Sequence, residues 1–328
     1  MEIKGLKALV TGASGFIGRK LSERLMIEGV NVRALVRRPE EVHGIFPDIA
    51  VADVRDINSL RQSCAGIDII FHLAAITAEV GNWKMFYDVN VRGTQNLIEI
   101  ARQNQVARFV HMSSVAVYGL DTPGIVDEMT PRRLGGNPYT DSKLLSEEAV
   151  WSACREGLQA VILRPTNVYG PGSYTWTIRP VELLRSGRMF LINGGQGICN
   201  HLYIDNLLDA ITLAAKNDRS VGQAYQINDG HPVTWREFFS HYAKMIGKDH
   251  IPSLPLWLAR SIGAGSEMYA GIFGGSPKIT REAIRFLNRR SRFLIDKATR
   301  DLGYDPEITL TEGMARTEKW LREARFIS

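Results

Sequence analysis

The chain has 328 residues, 45% apolar and 23% charged, which suits a full hydrophobic core and excludes a disordered, collagenous or coiled-coil chain. Forty Lys and Arg against 35 Asp and Glu leave a formal charge of +5, too small a surplus to demand a nucleic-acid partner. The cysteines Cys64, Cys154 and Cys199 have no metal-pair spacing and point to a reducing, cytoplasmic setting. The histidines show no paired helical spacing, so no metal is expected. Met1 to Leu6 carries charges and lacks a leader's apolar stretch, and no run of about 18 apolar residues reads as a membrane span.

In chain order, Ala8-Leu9-Val10 reads as a first strand, followed by a glycine-rich turn and a helix from about Phe16 to Gly29. A second strand spans Val32 to Val36, closed by Pro39. A third is expected near Ile49 to Val51, a fourth at Asp68 to His72 and a fifth at Phe109 to Met112, with a long helical pattern from Trp83 to Gln103 before the fifth. Short β-branched runs bounded by polar turns are what a parallel sheet needs when crossover helices bury both its faces. The alternation predicts an α/β fold, a doubly wound parallel sheet of the Rossmann kind. A helix from Tyr139 to Arg155 and a sixth strand at Ala160 to Leu163 continue it. After Arg164-Pro165 helices dominate, at about 178–186, 205–216, 234–246, 256–270 and 311–324, with small strands at Met189 to Ile192 and Ala224 to Ile227. Two parts are therefore expected: a dinucleotide-binding domain over 1–165 and a smaller, mostly helical substrate domain over 166–328, with the chain crossing back between them.

Thr11-Gly12-Ala13-Ser14-Gly15-Phe16-Ile17-Gly18 joins the first strand to the first helix. A pyrophosphate needs a closely approachable backbone and the positive end of a helix dipole. Glycine, lacking Cβ, supplies the first and the helix N-terminus the second. Gly12, Gly15, Phe16, Ile17 and Gly18 are the expected contacts, with Gly18 also letting the helix lie close on the sheet. At the end of the second strand, where a carboxylate would hold the ribose hydroxyls, stands Arg37. A guanidinium suits a 2′-phosphate, so NADP(H) is preferred; NAD(H) is the alternative if Arg37 is only a solvated strand-end charge. Asp53, followed by Val54, would accept from the adenine amino group, or else only cap a turn.

Tyr139 and Lys143 stand at i and i+4, on one helical face. A phenol with a pKa near 10 must drop by about 3 units to exchange a proton near neutrality. A lysine cation about 4 Å away, at an effective dielectric near 20, supplies about that much, and an oxidised nicotinamide would help. Ser114 lies just past the fifth strand, at the sheet edge where open α/β folds bind ligands, and its hydroxyl would hold the substrate oxygen.

With those residues in place, the chain resembles the extended short-chain dehydrogenase/reductases, the NAD(P)-dependent epimerase/dehydratase type. The likeness rests on Thr11 to Gly18, His72-Leu73-Ala74-Ala75, Asn90-Val91-Arg92-Gly93-Thr94, Ser113 to Gly119, Tyr139 to Lys143 and Arg164 to Pro171, and it runs over nearly the whole chain. The resemblance implies Ser114, Tyr139 and Lys143 as catalytic and Asn90 near the nicotinamide end. It further implies Leu73, Ala74, Ala75, Pro165 and Val168 along the cofactor, Asn167 toward the substrate, and a homodimer packed through two long helices.

Three features bear on the family branch. Val115-Ala116 stand where dehydratases carry Asp-Glu, and neither moves protons. Gly195-Gln196-Gly197-Ile198 leads to Cys199, where sugar-nucleotide epimerases often carry an arginine for the diphosphate; Arg289, Arg290 and Arg292 either substitute for it or are solvated surface. The stretch from Ile251 to Arg260, with the apolar helix running to Phe273, is similar to bacterial 3β-hydroxysteroid-dehydrogenase-like and ketoreductase members. Trp257, Met268, Tyr269 and Phe273 are expected in the core of the second domain, the alternative being a lipophilic pocket or a membrane surface. The expected activity is hydride transfer between nicotinamide C4 and a secondary alcohol or ketone of a small-molecule substrate. A nucleotide-sugar epimerase with bound NAD and a non-catalytic redox sensor are the alternatives.

Overall fold

Neighbouring residues of the apolar runs face opposite sides of one sheet. In the computed structural model, which describes residues 1–78, 81–275, 277 and 279–327, Ala8 and Val10 join one core cluster and Leu9 the other. Ile69 and Phe71 divide from Ile70 in the same way. Among the described residues seven parallel strands form this sheet: β1 (Lys7–Thr11), β2 (Asn31–Val36), β3 (Asp48–Val51), β4 (Ile69–His72), β5 (Arg108–Met112), β6 (Ala160–Pro165) and β7 (Gln223–Ile227). Their spatial order is β7-β6-β5-β4-β1-β2-β3. Helices α1 (Phe16–Ile27), α2 (Gly93–Gln103), α3 (Pro138–Arg155) and α4 (Ile204–Lys216) cover it. Leu21 and Leu25 of α1 share one cluster with Leu207 and Ile211 of α4, and Leu97 of α2 shares the other with Val150 of α3. The strand order reverses between β1 and β4, which opens a crevice at their carboxyl ends.

β7 comes from beyond residue 165 and pairs with β6, Gln226 opposite Arg164, so both parts of the chain build one sheet. The segment expected as one helix over 83–103 is broken. A turn of α-helix at Trp83–Phe86 passes into a π-helical turn at Tyr87–Arg92 before α2 begins. A π turn inserts one residue into the helical repeat, and apolar spacing does not register it.

The later helices are α5 (Trp235–Met245), α6 (Leu256–Phe273), α7 (Arg281–Asn288) and α8 (Leu310–Glu323). Trp235 of α5 stacks on Trp176 and on Phe239, with ring centres 5.2 Å apart in each pair, and anchors an aromatic core. α6 departs from expectation. Only Ala259 and Gly263 are buried along it, whereas Trp257, Met268, Tyr269 and Phe273 are exposed by 69%, 66%, 62% and 70%. The helix touches α7 through a narrow line of small residues: a Cβ on Gly263 would lie 2.7 Å from Ile284 Cδ1. Hydropathy marks α6 as apolar, but it does not say whether another element covers it. No helix among the described residues is long and apolar enough to cross a membrane.

Candidate active site

The glycine-rich turn is shaped by what lies beside it. Thr11 Oγ1 accepts from the amides of Leu73 (3.1 Å) and Ala74 (3.0 Å), drawing the loop after β4 onto Gly12. Gly12 has φ +69°, and a Cβ there would sit 3.0 Å from the Ala74 nitrogen. On Gly18 a Cβ would lie 2.2 Å from the Gly12 carbonyl oxygen, so only glycine lets α1 start so close to β1. α1 begins after Gly15 with no side-chain cap and no acid in its first turn, with Phe16 and Ile17 as its first residues. Its N-terminal amides are left for an anion, and this set fits the pyrophosphate of a dinucleotide.

Arg37 is exposed directly after β2 and makes no hydrogen bond or ion pair among the described residues, while Arg38 pairs with Glu41. Asp53 is engaged by its neighbour. Oδ1 accepts from the Arg55 amide (2.9 Å) and Nε (3.0 Å), and Oδ2 from a terminal guanidinium nitrogen (2.7 Å). That bonding with Arg55 holds the Asp53 carboxyl below the usual range, with a smaller contribution from Arg37. The turn-forming reading of Asp53 describes this state. Val54 packs against Gly93 at the start of α2, where a Cβ would come within 2.7 Å of Val54 Cγ2.

The catalytic candidates converge on the carboxyl end of β5. The Asn137 side chain accepts from the Thr140 amide (3.0 Å) and caps α3, with Pro138 at its first position. This places Tyr139 in the first turn and Lys143 one turn later. The buried Lys143 ammonium donates to the Met112 carbonyl at 2.7 Å, at the last residue of β5. Ser114 caps the short turn Val115–Tyr118, accepting from the Ala116 amide at 3.1 Å, and its hydroxyl stands near enough to the Tyr139 phenol to act on it. The expected lowering of the phenol by Lys143 is not realised in the protein alone. Burial pushes Tyr139 up, the nearby Ser114 hydroxyl opposes that, and the ammonium is bonded to backbone instead. Burial also pulls Lys143 down to about 8, against the attraction of Glu147.

A neutral histidine pair lies beneath. His72 ends β4 opposite His111 of β5. Its Nδ1 meets Thr11 Oγ1 and its Nε2 meets Thr94 Oγ1, each at 2.9 Å. Burial, then the Lys143 charge, hold His72 down to about 3 and His111 well below the usual range. Asn90 sits in the π turn. Its Oδ1 accepts from the Ile76 amide (2.7 Å), and its Nδ2 donates to the Ile76 carbonyl (3.1 Å) and Ser142 Oγ (2.9 Å), which ties the loop after β4 to α3. Leu73, Ala74 and Ala75 stand half-buried at the crevice mouth, Pro165 ends β6, and Val168 and Asn167 lie just beyond it.

Sequence reasoning missed the buried frame that holds α3. Arg164 donates to Glu147 through Nε (2.9 Å) and a terminal nitrogen (2.7 Å), and to the Tyr118 hydroxyl at 2.6 Å. Glu147 follows Lys143 by four residues, so the run Tyr139, Lys143, Glu147 on one face was the available signal. Arg289 corrects another expectation. It is not solvated: 6% exposed, it lies between the rings of Phe286 (4.4 Å) and Phe293 (5.1 Å). Its Nε and one terminal nitrogen are buried without a partner. It neighbours Cys199, whose thiol burial pushes well up and whose sulfur is 4.0 Å from Asn167 Nδ2. Arg290 and Arg292 are exposed.

Residues 8–228 match the model of the NAD dependent epimerase/dehydratase family. The chain belongs to this family. It is 30% identical over 322 residues to a 4-hydroxy-2-methyl-3-oxo-4-farnesyl-3,4-dihydroquinoline-1-oxide ketoreductase of Stigmatella aurantiaca, covering 94% of this chain and 95% of the other. It is 31% identical over 330 residues to a 3-beta-hydroxysteroid dehydrogenase of Mycolicibacterium neoaurum, covering 94% and 89%. Among solved structures, MoeE5 in complex with UDP-glucose and NAD superposes with a TM-score of 0.78 at 26% identity, covering 98% of this chain and 100% of the other. The family places this chain among nicotinamide-dependent oxidoreductases of the extended short-chain type.

Proposed function

We propose that the chain reduces a ketone to a secondary alcohol with NADPH, and that Ser114, Tyr139 and Lys143 perform the reaction. The observation that carries this reading is the convergence at the carboxyl end of β5, where Lys143 is tied to the Met112 carbonyl, Ser114 follows the strand, and Tyr139 stands one helical turn before Lys143 with the Ser114 hydroxyl near enough to act on its phenol. Bound nicotinamide would supply the hydride to the carbonyl carbon. Tyr139, raised by burial, holds its proton at neutral pH, which is the form a reduction consumes, and it passes that proton to the carbonyl oxygen. Ser114 gives the same oxygen a second hydrogen bond. A positioned proton donor of this kind contributes about 10²–10⁴ in rate. Lys143 sets a positive charge beneath the site, and Asn90 fixes the loop against α3.

The unpaired Arg37 supports the preference for NADPH, since a 2′-phosphate is the partner it lacks. Arg289 bears on the substrate. A buried guanidinium without a counter-ion is unfavourable by several kcal/mol, roughly, and its pKa of about 10 keeps it charged at pH 7. A carboxylate or phosphate on the substrate would satisfy it. The same observation favours the second reading, a nucleotide-sugar epimerase. Following NADPH absorbance with β-keto acids, ketosteroids and nucleotide sugars separates the two. Oxidation of one NADPH per ketone supports reduction, and sugar interconversion without net cofactor change supports epimerisation. Tyr139→Phe must lower either by about 10²–10⁴.

The α2–α3 face carries a groove of ≈ 710 Å³ lined by Ile98, Arg102, Ala149 and Ala153 among others, which supports the homodimer reading. Sedimentation velocity tests it. The three free cysteines support a reducing compartment.

A further inference from the structure

α6 carries only two charges in 18 residues, Arg260 and Glu267. At about 100° per residue both fall on the side of the buried stripe made by Ala259 and Gly263. The remaining arc, of about 160°, holds Trp257, Ile262, Met268, Tyr269, Ile272 and Phe273, exposed by 44% to 70%, with no charge among them. Scattered exposed apolar residues are ordinary; an uncharged face running about five turns, broken only by Ser261 and Gly265, is not. Aromatic rings stand at both ends, Trp257 at the first and Tyr269 with Phe273 at the last.

This stretch of chain is mostly basic. Between residues 256 and 292 seven Lys and Arg stand against two Glu, and of the seven Arg289 is buried. Arg260, Arg281, Arg285, Arg290 and Arg292 are exposed. Arg281 pairs with Glu267 of α6, and Arg285 also acts on that carboxylate, so these two residues of α7 lie along the charged side of α6. A second copy of the chain would bring an identical positive rim against this one. We propose that α6 is an interfacial helix that lies in the headgroup plane of an anionic phospholipid bilayer, its apolar arc among the acyl chains and the arginines on the lipid phosphates. The surface is independent of the catalytic reading.

Flotation of the full chain with unilamellar vesicles tests this. Vesicles of phosphatidylglycerol and phosphatidylcholine should bind it at least about tenfold more than phosphatidylcholine alone, since each arginine near an anionic surface contributes roughly fivefold. Raising the salt should reverse that gain. The double variant Met268→Asp/Ile272→Asp should lose about tenfold or more of the binding with its melting temperature unchanged, since both residues are exposed. Equal binding to the two vesicle types, no binding to either, or undiminished binding of the variant overturns the proposal. So does a wild type that is a larger oligomer than the variant in lipid-free sedimentation velocity, because the face is then covered by another copy.

Discussion

α3 and α6 are both 18 residues long and break the usual sorting of side chains in opposite directions. α3 buries charge: Lys143 is 4% exposed and Glu147 fully buried. α6 exposes apolar rings. Burial of ions is tolerated in α3 because each has a partner, Lys143 at the Met112 carbonyl and Glu147 at Arg164 and Arg132. Stability alone explains neither helix, since an apolar residue at 143 and polar residues along α6 would cost less. On the readings proposed above, each helix departs from the sorting where something from outside the chain meets it, a substrate at α3 and a bilayer at α6.

Tyr139→Phe attacks the buried region where the largest effect is expected. It keeps the ring and removes the proton, so turnover should fall by about 10²–10⁴ with melting temperature and dinucleotide affinity nearly unchanged. Residual activity within a few-fold of wild type would break the assignment. Gly18→Ala acts on the framework. Its Cβ would lie 2.2 Å from the Gly12 oxygen, so α1 must lift from β1. We expect dinucleotide binding to weaken by about tenfold or more and stability to drop by about 1–3 kcal/mol, measured by calorimetry and denaturant titration. Arg37→Ser removes the charge proposed to meet a 2′-phosphate. A charge-assisted bond of about 1.5–3 kcal/mol predicts a loss of about 10- to 100-fold in the NADPH-to-NADH ratio of kcat/KM, with the NADH value itself hardly moved.

Most of the sheet was legible because parallel strands buried on both faces leave apolar runs, and the glycine spacing needs its place after the first strand to mean anything. The positions of Ser114, Tyr139 and Lys143 at a strand end and a helix start were legible in the same way, while their catalytic roles are the proposal. The parts that escaped depend on partners distant in sequence. Arg164 reads as a strand-end charge until Glu147 closes on it. Arg289 reads as surface until Phe286 and Phe293 enclose it. The tuning of Tyr139 was read as a local pair, yet Lys143 is drawn away by a carbonyl of β5. The exposure of α6 depends on what fails to pack on it, which no local pattern records.

Lys143→Met sharpens the contrast through stability. Burial lowers Lys143 to about 8, from 10.5 unperturbed. Below pH 8 both folded and unfolded chains hold the proton, and the full cost of the buried cation is present. Between 8 and 10.5 the unfolded chain binds more protons, so stability from this group rises with pH, and the cost is gone above that window. The variant should therefore be inactive yet melt roughly 2–4 °C higher than wild type at pH 7, with the gap closing toward pH 10. A gap that widens with pH contradicts the assignment.

The smallest effect belongs to α6. Trp235 is 1% exposed and stacks between Trp176 and Phe239, so Trp235→Ala should cost about 3–5 kcal/mol. Trp257 is 69% exposed, and Trp257→Ala should stay within about 0.5 kcal/mol of wild type in lipid-free buffer. Chemical denaturation of the two variants compares them directly. A large loss at Trp257 would mean that its ring is packed in solution, against another copy or another segment, and α6 would then rejoin the ordinary sorting that α3 alone violates.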